Sequence, residues 1–491
     1  MVAAEVEPFA RTGGLGDVVG GLARTLATFG CDVVVVTPRY GVTQVPAGTS
    51  WWNDTVTVRV GSAGQAPFEL GVLELVERDD AGGALRVCFL DHSSLFDRAG
   101  IYGDSNGSFG DNDTRFFVMS RGALAVADRI WPSHGGARAP GGPDVVHAHD
   151  WHGAPAIISS RTPSAEGGQR SRAKTVFTIH NLSFQGVFGV EALERLGLPR
   201  SAFDDGSLAH EGQVNLMRAA ISLADCVTTV SPTYAREIRR RGQGHGLDAL
   251  LRREERKLAG ILNGIDDARF DPSTDGTLAA RYDVSDPFDG KRACKAGLAA
   301  ELGLSDDGPI FASVSRLTGQ KGIDLLLAVV PALVDGGARV ILVGAGDPDL
   351  EAALYAIASR FPERVAVRVA FDGALARRVY AGADFVVVPS RFEPCGLTQL
   401  YAMRYGAIPI VTAVGGLHDT VEPIAALHGA GTGFVAPAPN VPDLLIACEE
   451  ALWLYRDVPS HRAAIVRAMS RDSSWRRPAR AYLELYESTS R

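Results

Sequence analysis

The chain has 491 residues, of which 46% are hydrophobic and 8% aromatic, with a formal net charge of -8. This composition is that of an ordinary globular protein of two or three domains, and the acidic balance argues against nucleic acid or anionic lipid as a partner. No apolar run approaches the roughly 18 residues of a membrane helix, and the N-terminus carries no signal-peptide or transit-peptide pattern. We therefore expect a cytoplasmic protein.

The cysteines are scattered and form no Cys-x-x-Cys pair, which argues against a zinc site or a redox dithiol and fits a reducing compartment. They are Cys31, Cys88, Cys226, Cys294, Cys395 and Cys448.

Apolar runs of strand length alternate with helical periodicity, a pattern typical of parallel βαβ units. The predicted strands of the first half are residues 32–37, 85–90, 144–147, 175–179 and 226–230. Those of the second half are residues 310–314, 340–343, 365–370, 385–388 and 408–411. The two series predict two doubly wound parallel sheets. A charged stretch at 252–257 and a Gly-Ile-Leu-Asn-Gly turn at 260–264 place the domain boundary between them, near residue 257.

A glycine loop, Arg-Thr-Gly-Gly-Leu-Gly-Asp at 11–17, precedes a helical pattern at 18–26. The N–H groups of Gly13 and Gly14 can approach a diphosphate without a Cβ in the way, and Arg11 adds a positive charge. The alternative is a purely structural turn at a helix start. A second Gly-Gly-Leu follows a predicted strand at 415–417, and the two loops together suggest a ligand between the domains.

His147, His149 and His152 lie close together in the segment His-Ala-His-Asp-Trp-His, which follows a predicted strand. We do not predict a metal site there, because no second cluster completes it. Hydrogen bonding to sugar hydroxyls, with stacking on Trp151, is the functional interpretation, and a satisfied structural histidine is the alternative. His180-Asn181 forms a second polar pair at a strand end.

Two cations follow the first strand of the second half. Arg316 lies at the end of that strand, taken through Ser315, and Lys321 lies at the start of the helix predicted at 322–333, so both lie at the carboxyl edge of the sheet. Cations beside a helix N-terminus at this edge are suited to grip a diphosphate.

Glu393 lies in the loop between the strand 385–388, which Pro389 ends, and a helix that begins near Leu397. Ligands of open α/β sheets bind at such loops, and the N–H groups of Cys395, Gly396 and Leu397 suit phosphate or sugar oxygens. The alternative is a glutamate that only caps the helix.

The chain resembles the family of bacterial glycogen synthases and plant starch synthases over nearly its whole length. The resemblance is carried, in order, by Arg-Thr-Gly-Gly-Leu-Gly-Asp at 11–17, His-Ala-His-Asp-Trp-His at 147–152, His-Asn-Leu-Ser-Phe-Gln-Gly at 180–186, Thr-Val-Ser-Pro-Thr-Tyr-Ala at 229–235, Gly-Ile-Leu-Asn-Gly-Ile-Asp at 260–266, Ser-Arg-Leu-Thr-Gly-Gln-Lys-Gly at 315–322 and Arg-Phe-Glu-Pro-Cys-Gly-Leu-Thr-Gln-Leu at 391–400.

The resemblance implies the α/β fold called GT-B, with two Rossmann-like doubly wound parallel-sheet domains that face a central cleft. The N-terminal, acceptor-side domain is expected at 1–257, with a last helix at 472–491 packing back on it, and the nucleotide-sugar domain at 258–471. The implied reaction is retaining transfer of glucose from ADP-glucose to the non-reducing-end 4-hydroxyl of an α-1,4-glucan, with release of ADP. No cofactor and no metal are expected.

The resemblance also assigns roles to residues. Arg316 and Lys321 hold the donor diphosphate, Glu393 binds the donor glucose, and His180 lies close to the anomeric carbon. Catalytic roles fall on Glu393, His180, Arg316 and Lys321; donor binding on Arg11, Gly13, Gly14, Arg316, Lys321, Cys395, Gly396, Leu397, Thr398, Phe371 and Asn263; and acceptor or sugar binding on Asp17, Asp150, Asn181 and Tyr102.

Several positions depart from the family pattern, mostly on the nucleotide side. Arg11 replaces the usual Lys, Thr412 and Val414 stand where Arg and Thr are common, and Ala370, Gly373 and Arg377 also differ. These departures leave open a different donor such as UDP-glucose, or a weakly active glucan-binding protein. Only residues 1–5 precede the first turn, where the family has a longer strand, and an incorrectly assigned start would account for this.

Overall fold

The computed structural model describes residues 1–61, 65–79, 82–104, 107–131, 142–162, 172–198, 200–424 and 430–488. The helices are α1 (Gly14–Thr28), α2 (Ser93–Phe96), α3 (Asn112–Ile130), α4 (Asp150–Arg161), α5 (Ala192–Leu196), α6 (Arg200–Asp204), α7 (Leu216–Leu223), α8 (Pro232–Glu237), α9 (Asp248–Arg253), α10 (Phe288–Leu302), α11 (Ile323–Asp335), α12 (Pro348–Arg360), α13 (Gly373–Gly382), α14 (Thr398–Arg404), α15 (Gly415–Thr420), α16 (Val441–Arg456), α17 (Val458–Ser470) and α18 (Arg476–Ser488), with short 3₁₀ turns at Glu255–Lys257 and Gly319–Lys321.

The strands are β1 (Asp32–Pro38), β2 (Ser50–Trp51), β3 (Val56–Val58), β4 (Phe68–Arg78), β5 (Ala84–Asp91), β6 (Gly103–Asp104), β7 (Gly107–Ser108), β8 (Val145–His149), β9 (Lys174–Ile179), β10 (Val187–Phe188), β11 (Ala209–His210), β12 (Gln213–Asn215), β13 (Cys226–Thr229), β14 (Leu258–Gly260), β15 (Ile310–Val314), β16 (Arg339–Val343), β17 (Val365–Arg368), β18 (Phe385–Val388), β19 (Ile408–Thr412) and β20 (Phe434–Ala436).

The chain divides into two compact units. Unit 1 comprises Met1–Val230, Ala235–Gly264 and Trp475–Arg491, and unit 2 comprises Ser231–Tyr234 and Ile265–Ser474. The predicted domain limits at residues 257 and 472 lie close to these points and stay predictions.

Among the described residues, no helix combines the length and the apolar character that crossing a membrane requires.

The sheet of unit 1 is joined by a very short N-terminal strand. Val2 bridges both Ala148 in β8 and Val36 in β1, in parallel. Its N–H donates to the carbonyl of His147 at 2.8 Å, and its own carbonyl accepts from the N–H of His149 at 3.0 Å. The order β14-β13-β9-β8 thereby continues through residue 2 into β1-β5-β4-β2. The curtailed first strand is therefore sufficient to connect the two halves of the sheet.

The predicted parallel strands of unit 1 are present, and the sheet carries in addition an antiparallel edge that the sequence analysis did not predict. The strands β2, β3 and β4 pair in antiparallel fashion, and β4 runs antiparallel to β5. Such an edge is common on otherwise parallel sheets. The last residues of β4 are exposed, as suits a strand at the edge, whereas β1 is buried on both faces after its first residue.

Helix α18 belongs to unit 1. Trp475, Ala479 and Tyr482 are buried in the same apolar cluster as Leu22 and Leu26 of α1. A Cβ on Gly21 would lie 2.0 Å from Nε1 of Trp475, so only glycine permits this approach. The hydroxyl of Tyr486 lies 2.7 Å from Nδ1 of His147, which ties the helix to the middle of β8.

The sheet of unit 2 is wholly parallel, in the order β17-β16-β15-β18-β19-β20. Numbered from its own first strand, this is the 3-2-1-4-5-6 order of a Rossmann-type sheet, whose direction of winding reverses between β15 and β18. The chain therefore leaves these two adjacent strands toward opposite faces. The loops that follow them border the crevice where doubly wound proteins bind ligands.

Candidate functional site

In unit 2, Lys321 and Glu393 meet at the carboxyl edge of the sheet, on the two loops at the switch point. Nζ of Lys321 lies 2.6 Å from Oε2 of Glu393, and the hydroxyl of Ser390 donates to the same oxygen at 2.9 Å. The Glu393 side chain is 8% exposed and that of Lys321 17%. Oε1 of Glu393 and two of the three N–H bonds of Lys321 have no partner among the described residues. The pair thus offers a ligand one acceptor oxygen of Glu393 and the ammonium group of Lys321, which also binds Glu393.

Backbone packing fixes the Glu393 loop in place. The backbone carbonyl of Glu393 accepts a hydrogen bond from the N–H of Gly416 at 3.1 Å. Gly415 has a φ of 42°, and a Cβ there would lie 1.9 Å from the Glu393 carbonyl oxygen. Thr412 is buried, and its hydroxyl donates to the carbonyl of Ser390 at 2.5 Å. The second Gly-Gly-Leu therefore supports the Glu393 loop by close approach.

Glu393 does not cap the helix that follows it, so the alternative interpretation of this residue is wrong. Helix α14 begins at Thr398 with Leu397 as its N-cap, and no side chain caps it. Gly396 has a φ of 75°, which turns the chain between Glu393 and the helix. The Gln399 amide donates to the carbonyls of Cys395 and Gly396 at 3.1 and 2.9 Å. Backbone geometry and the Gln399 amide therefore fix this segment, and the Glu393 side chain takes no part in capping the helix.

Arg316 and Phe371 are the exposed members of the predicted donor site in unit 2. Arg316 follows β15 after one intervening residue, and the structure gives its guanidinium no partner among the described residues. Phe371 is 77% exposed and follows β17 at the far edge of the sheet. An exposed cation at the switch point and an exposed aromatic ring farther along the same edge are available to a ligand, and their donor-binding roles stay predictions.

A second ion pair, at the other end of β18, provides an internal comparison. Nζ of Lys295 lies 2.7 Å from Oδ2 of Asp384, with exposures of 19% and 10% that resemble those of the first pair. Asp384 immediately precedes β18, and its carboxylate also accepts from the N–H of Ile310 at 2.7 Å. This pair lies at the amino edge of the sheet, whereas doubly wound proteins bind their ligands at the carboxyl edge.

In unit 1, two histidines and an aspartate meet where β8 and β9 end. Nδ1 of His149 lies 3.0 Å from Nε2 of His180. Oδ1 of Asp150 accepts from the backbone N–H of His180 at 2.7 Å. Burial lowers the pKa of His180 to about 3, so its ring is neutral at physiological pH. Asn181 follows, with Oδ1 accepting from the N–H of Ser183 at 3.0 Å.

Asp150 is strained and poorly solvated. Its φ of 52° is in the left-handed region, which non-glycine residues rarely adopt. Burial raises the pKa of its carboxyl to about 7, although backbone N–H groups of His180 and Asn181 donate to it and lower the pKa. Strained backbone and a displaced pKa at one residue are typical of functional sites.

Glu5 organises the first glycine loop, and the sequence reasoning missed it. Its carboxylate is 3% exposed and accepts from the N–H groups of Thr12 at 2.6 Å and Gly13 at 3.0 Å. Its other oxygen accepts from the hydroxyl of Tyr102 at 2.5 Å. The amide of Gly13 is therefore already engaged by a carboxylate. A lone acidic residue inside the apolar run at 1–6 was the available signal.

The other predicted residues of the glycine loop make contacts of their own. Arg11 pairs with Asp17 across the loop at 3.1 Å, and Gly14 is the first residue of α1. The Tyr102 ring stacks on His152 with centroids 4.7 Å apart. Glu5 and Tyr102 therefore connect the glycine loop to the histidine-rich segment.

Asn263, predicted on the donor side, lies in unit 1 by its contacts. It is 8% exposed, and its Oδ1 is buried with no hydrogen-bond partner among the described residues. A buried amide oxygen without a partner is costly unless a ligand or water satisfies it.

No cluster suited to a metal was found in the part of the chain that the structure describes, taking three or more His, Cys, Asp or Glu as the criterion.

Comparisons with known proteins agree along the whole chain. Residues 1–253 match the family model described as the starch synthase catalytic domain, and residues 308–453 match the glycosyl transferases group 1 model. The chain is 44% identical to a glycogen synthase of Anaeromyxobacter sp. (strain Fw109-5) and 43% identical to one of Myxococcus xanthus, covering 99% of this chain and 98% of each relative. The solved catalytic domain of starch synthase IV from Arabidopsis thaliana, bound to ADP and acarbose, matches with a TM-score of 0.87 at 31% identity, covering 99% of this chain and 97% of that one.

Proposed function

Since the chain belongs to the glycogen and starch synthase family of GT-B hexosyltransferases, we propose that it elongates an α-1,4-glucan with glucose from ADP-glucose. The glucose goes to the 4-hydroxyl at the non-reducing end, with retention of anomeric configuration, and ADP is released. The observation that carries the proposal is the Lys321–Glu393–Ser390 arrangement at the switch point of a Rossmann-type sheet. The neighbour from Arabidopsis, which holds ADP and acarbose, supports nucleotide and glucan as ligands.

Unit 2 supplies the groups suited to the sugar nucleotide. Arg316 and Lys321 place positive charge where the diphosphate of the donor departs, and the negative charge that develops there is stabilised by fixed cations. Glu393 presents Oε1 to the hydroxyls of the donor glucose. Its other oxygen is held by Lys321 and Ser390, which fixes the orientation of the carboxylate.

Unit 1 supplies polar groups suited to sugar hydroxyls. Asp150, His180 and Asn181 lie at the carboxyl edge of its sheet, Tyr102 donates to Glu5, and Asp17 lies in the first turn of α1. We assign them to the acceptor and to the transferred glucose. The neutral ring of His180 suits hydrogen bonding to a sugar better than pairing with a charge.

Retention follows from front-face displacement. In this step the bond from the anomeric carbon to the diphosphate oxygen breaks as the acceptor 4-oxygen attacks from the same face. The departing phosphate oxygen takes the proton of the acceptor hydroxyl. Such a step requires no protein nucleophile and relies on stabilisation of the diphosphate by Arg316 and Lys321.

The six free cysteines agree with the cytoplasmic setting included in the proposal.

The test is release of nucleoside diphosphate from purified protein given glycogen and either ADP-glucose or UDP-glucose. We expect ADP release with the higher kcat/KM, and a loss of at least 100-fold in Glu393→Gln. Glu422→Gln is the matched control, because Glu422 is an exposed glutamate of unit 2 that pairs with Arg471 at 3.3 Å. No ADP above the level of Glu393→Gln would contradict the proposal.

The second candidate is the same transfer from UDP-glucose. It is favoured by Thr412, which is buried and bonded to the Ser390 carbonyl at a position where the family commonly carries a cation. A higher kcat/KM with UDP-glucose in the same assay would select it. Binding of glycogen without release of either diphosphate would instead select a glucan-binding protein.

A further inference from the structure

His149 is a fully buried histidine whose two ring nitrogens have different surroundings. Nδ1 lies 3.0 Å from Nε2 of His180. Nε2 is buried and has no hydrogen-bond partner among the described residues. The ring is packed against His147, with centroids 4.1 Å apart, and His147 is itself fixed by the hydroxyls of Thr178 and Tyr486 at 2.6 and 2.7 Å. His149 therefore cannot turn its Nδ1 away from His180 without disturbing this packing.

One hydrogen bond joins the two rings, and either ring nitrogen can be its donor. Burial lowers the pKa of both histidines, so each ring carries a single N–H. If His180 donates from Nε2, then His149 carries its proton on Nε2, where it would be a buried N–H without an acceptor. If His149 donates from Nδ1, its Nε2 is only an unpaired acceptor. Orphaned buried N–H groups are rarer in proteins than under-satisfied acceptors, so the second arrangement is favoured.

The favoured arrangement fixes the chemistry of His180. With Nε2 accepting from His149, the proton of His180 must be on Nδ1. The structure gives Nδ1 of His180 no partner among the described residues, and the side chain is partly exposed. The nitrogen that a ligand can reach is therefore a hydrogen-bond donor.

We propose that His149 is a positioning residue that holds His180 in its Nδ1–H tautomer, so that His180 donates a hydrogen bond to the bound sugar and does not accept a proton. The part concerning sugar rests on the proposed function, whereas the tautomer does not. A donating His180 agrees with a reaction in which the departing phosphate takes the acceptor proton.

The test is the tautomer of His180 in protein labelled with ¹⁵N-histidine, read from the pattern of long-range ¹H–¹⁵N correlations at neutral pH. Loss of signals in His180→Gln assigns the ring. We expect a proton on Nδ1 in the unsubstituted protein. In His149→Phe, which keeps a buried ring but removes the donor, we expect the Nδ1–H preference to weaken into a mixture of both tautomers, because Nε2 of His180 then has neither a donor nor an acceptor. In His149→Asn, whose amide can donate from nearly the same place, we expect the Nδ1–H pattern to return.

Kinetics with the donor and glycogen give the second readout. His149→Phe should lower kcat about tenfold, the effect of one ordinary hydrogen bond, with most of the loss recovered in His149→Asn. His461→Phe is the control, because His461 is a buried histidine of unit 2 that also has an unpartnered Nε2, and it should alter neither readout.

The possible results separate the two proposals. A proton on Nε2 of His180 in the unsubstituted protein overturns the role of His149 even if transfer is normal. A pure Nδ1–H tautomer in His149→Phe, with no mixture, also overturns it. An Nδ1–H tautomer in a protein that transfers no glucose supports the role of His149 and overturns the sugar assignment. If His149→Phe does not fold, the unsubstituted protein and His149→Asn still decide the tautomer.

Discussion

Two lysine–carboxylate pairs at opposite ends of β18 show how position in the sheet, and not the interaction itself, separates a site from a structural contact. Lys321–Glu393 and Lys295–Asp384 have N–O distances of 2.6 and 2.7 Å and similar exposure. One lies at the carboxyl edge beside the switch point and the other at the amino edge. Ligands of doubly wound sheets bind at the carboxyl edge, so we assign function only to the first pair.

Removal of each lysine should therefore have different kinetic effects. Lys321→Met should lower kcat with the sugar nucleotide by about 100-fold or more and raise the donor KM, because one of the cations on the departing diphosphate is lost. Lys295→Met should leave both kinetic constants within about twofold. Both variants should lose stability of about 3–5 kcal/mol, since each leaves a nearly buried carboxylate without its cation. Steady-state kinetics and urea unfolding of both variants measure this, and equal kinetic losses would contradict the assignment.

Asp150 should make stability depend on pH. Burial raises the pKa of its carboxyl from 3.8 to about 7, so between these values the folded state binds more protons than the unfolded state. Its contribution is thus fully present below about pH 4 and is lost as the pH rises through about 7. Asp150→Asn cannot ionise, so the unsubstituted protein should lose about 2–3 kcal/mol relative to this variant between pH 5 and 7. Urea unfolding at both pH values is the measurement, and a constant difference would show that Asp150 does not titrate in this range.

Residue type and spacing could predict the site residues at strand ends, but not their partners. Glu393, Arg316 and Lys321 follow strands whose apolar runs are distinct in the sequence. Glu5 was missed because its role depends on the N–H groups of Thr12 and Gly13 and the hydroxyl of Tyr102, which only folding brings to it. The pairing of Lys321 with Glu393 was also missed, since it depends on which strands are neighbours.

At the scale of elements, the buried parallel strands were predicted well and the antiparallel edge was not. The predicted strands 310–314 and 385–388 coincide with β15 and β18. These strands are apolar on both faces because helices cover the sheet, so their pattern is a continuous run. β4 was missed because it is partly exposed and its apolar residues are interrupted. Helix starts were correct to within a few residues, as for α11, which begins at Ile323.

The loop that precedes α15 should be intolerant of a side chain. Gly415→Ala forces a Cβ against the Glu393 carbonyl from a φ of 42°, and we expect a loss of at least about 2 kcal/mol in stability together with reduced kcat. Gly373→Ala, at the start of α13, meets no atom within 4 Å and should be neutral or stabilising by up to about 1 kcal/mol. Thermal unfolding and kinetics of the two variants measure this difference. Normal kinetics in a folded Gly415→Ala would mean that this loop does not hold Glu393 in position.

At the scale of the whole molecule, both units use the same principle. In each, a parallel sheet collects polar side chains at its carboxyl edge: Asp150 and His180 follow β8 and β9, and Arg316 and Glu393 follow β15 and β18. The fold class was predictable because two series of βαβ units are visible in the sequence. Each series also matches a family model of its own. What the sequence could not supply is the strand order of each sheet, which decides the neighbours of every loop.

The central claim is that the chain extends α-1,4-glucans from ADP-glucose through the site at Glu393. It is tested most directly by incubating the protein with ADP-[¹³C]glucose and a maltooligosaccharide, and reading the new linkage by NMR. We predict labelled glucose at the non-reducing end in α-1,4 linkage, with incorporation reduced at least 100-fold in Glu393→Gln. No incorporation, a β linkage, or equal incorporation by Glu393→Gln would contradict the account.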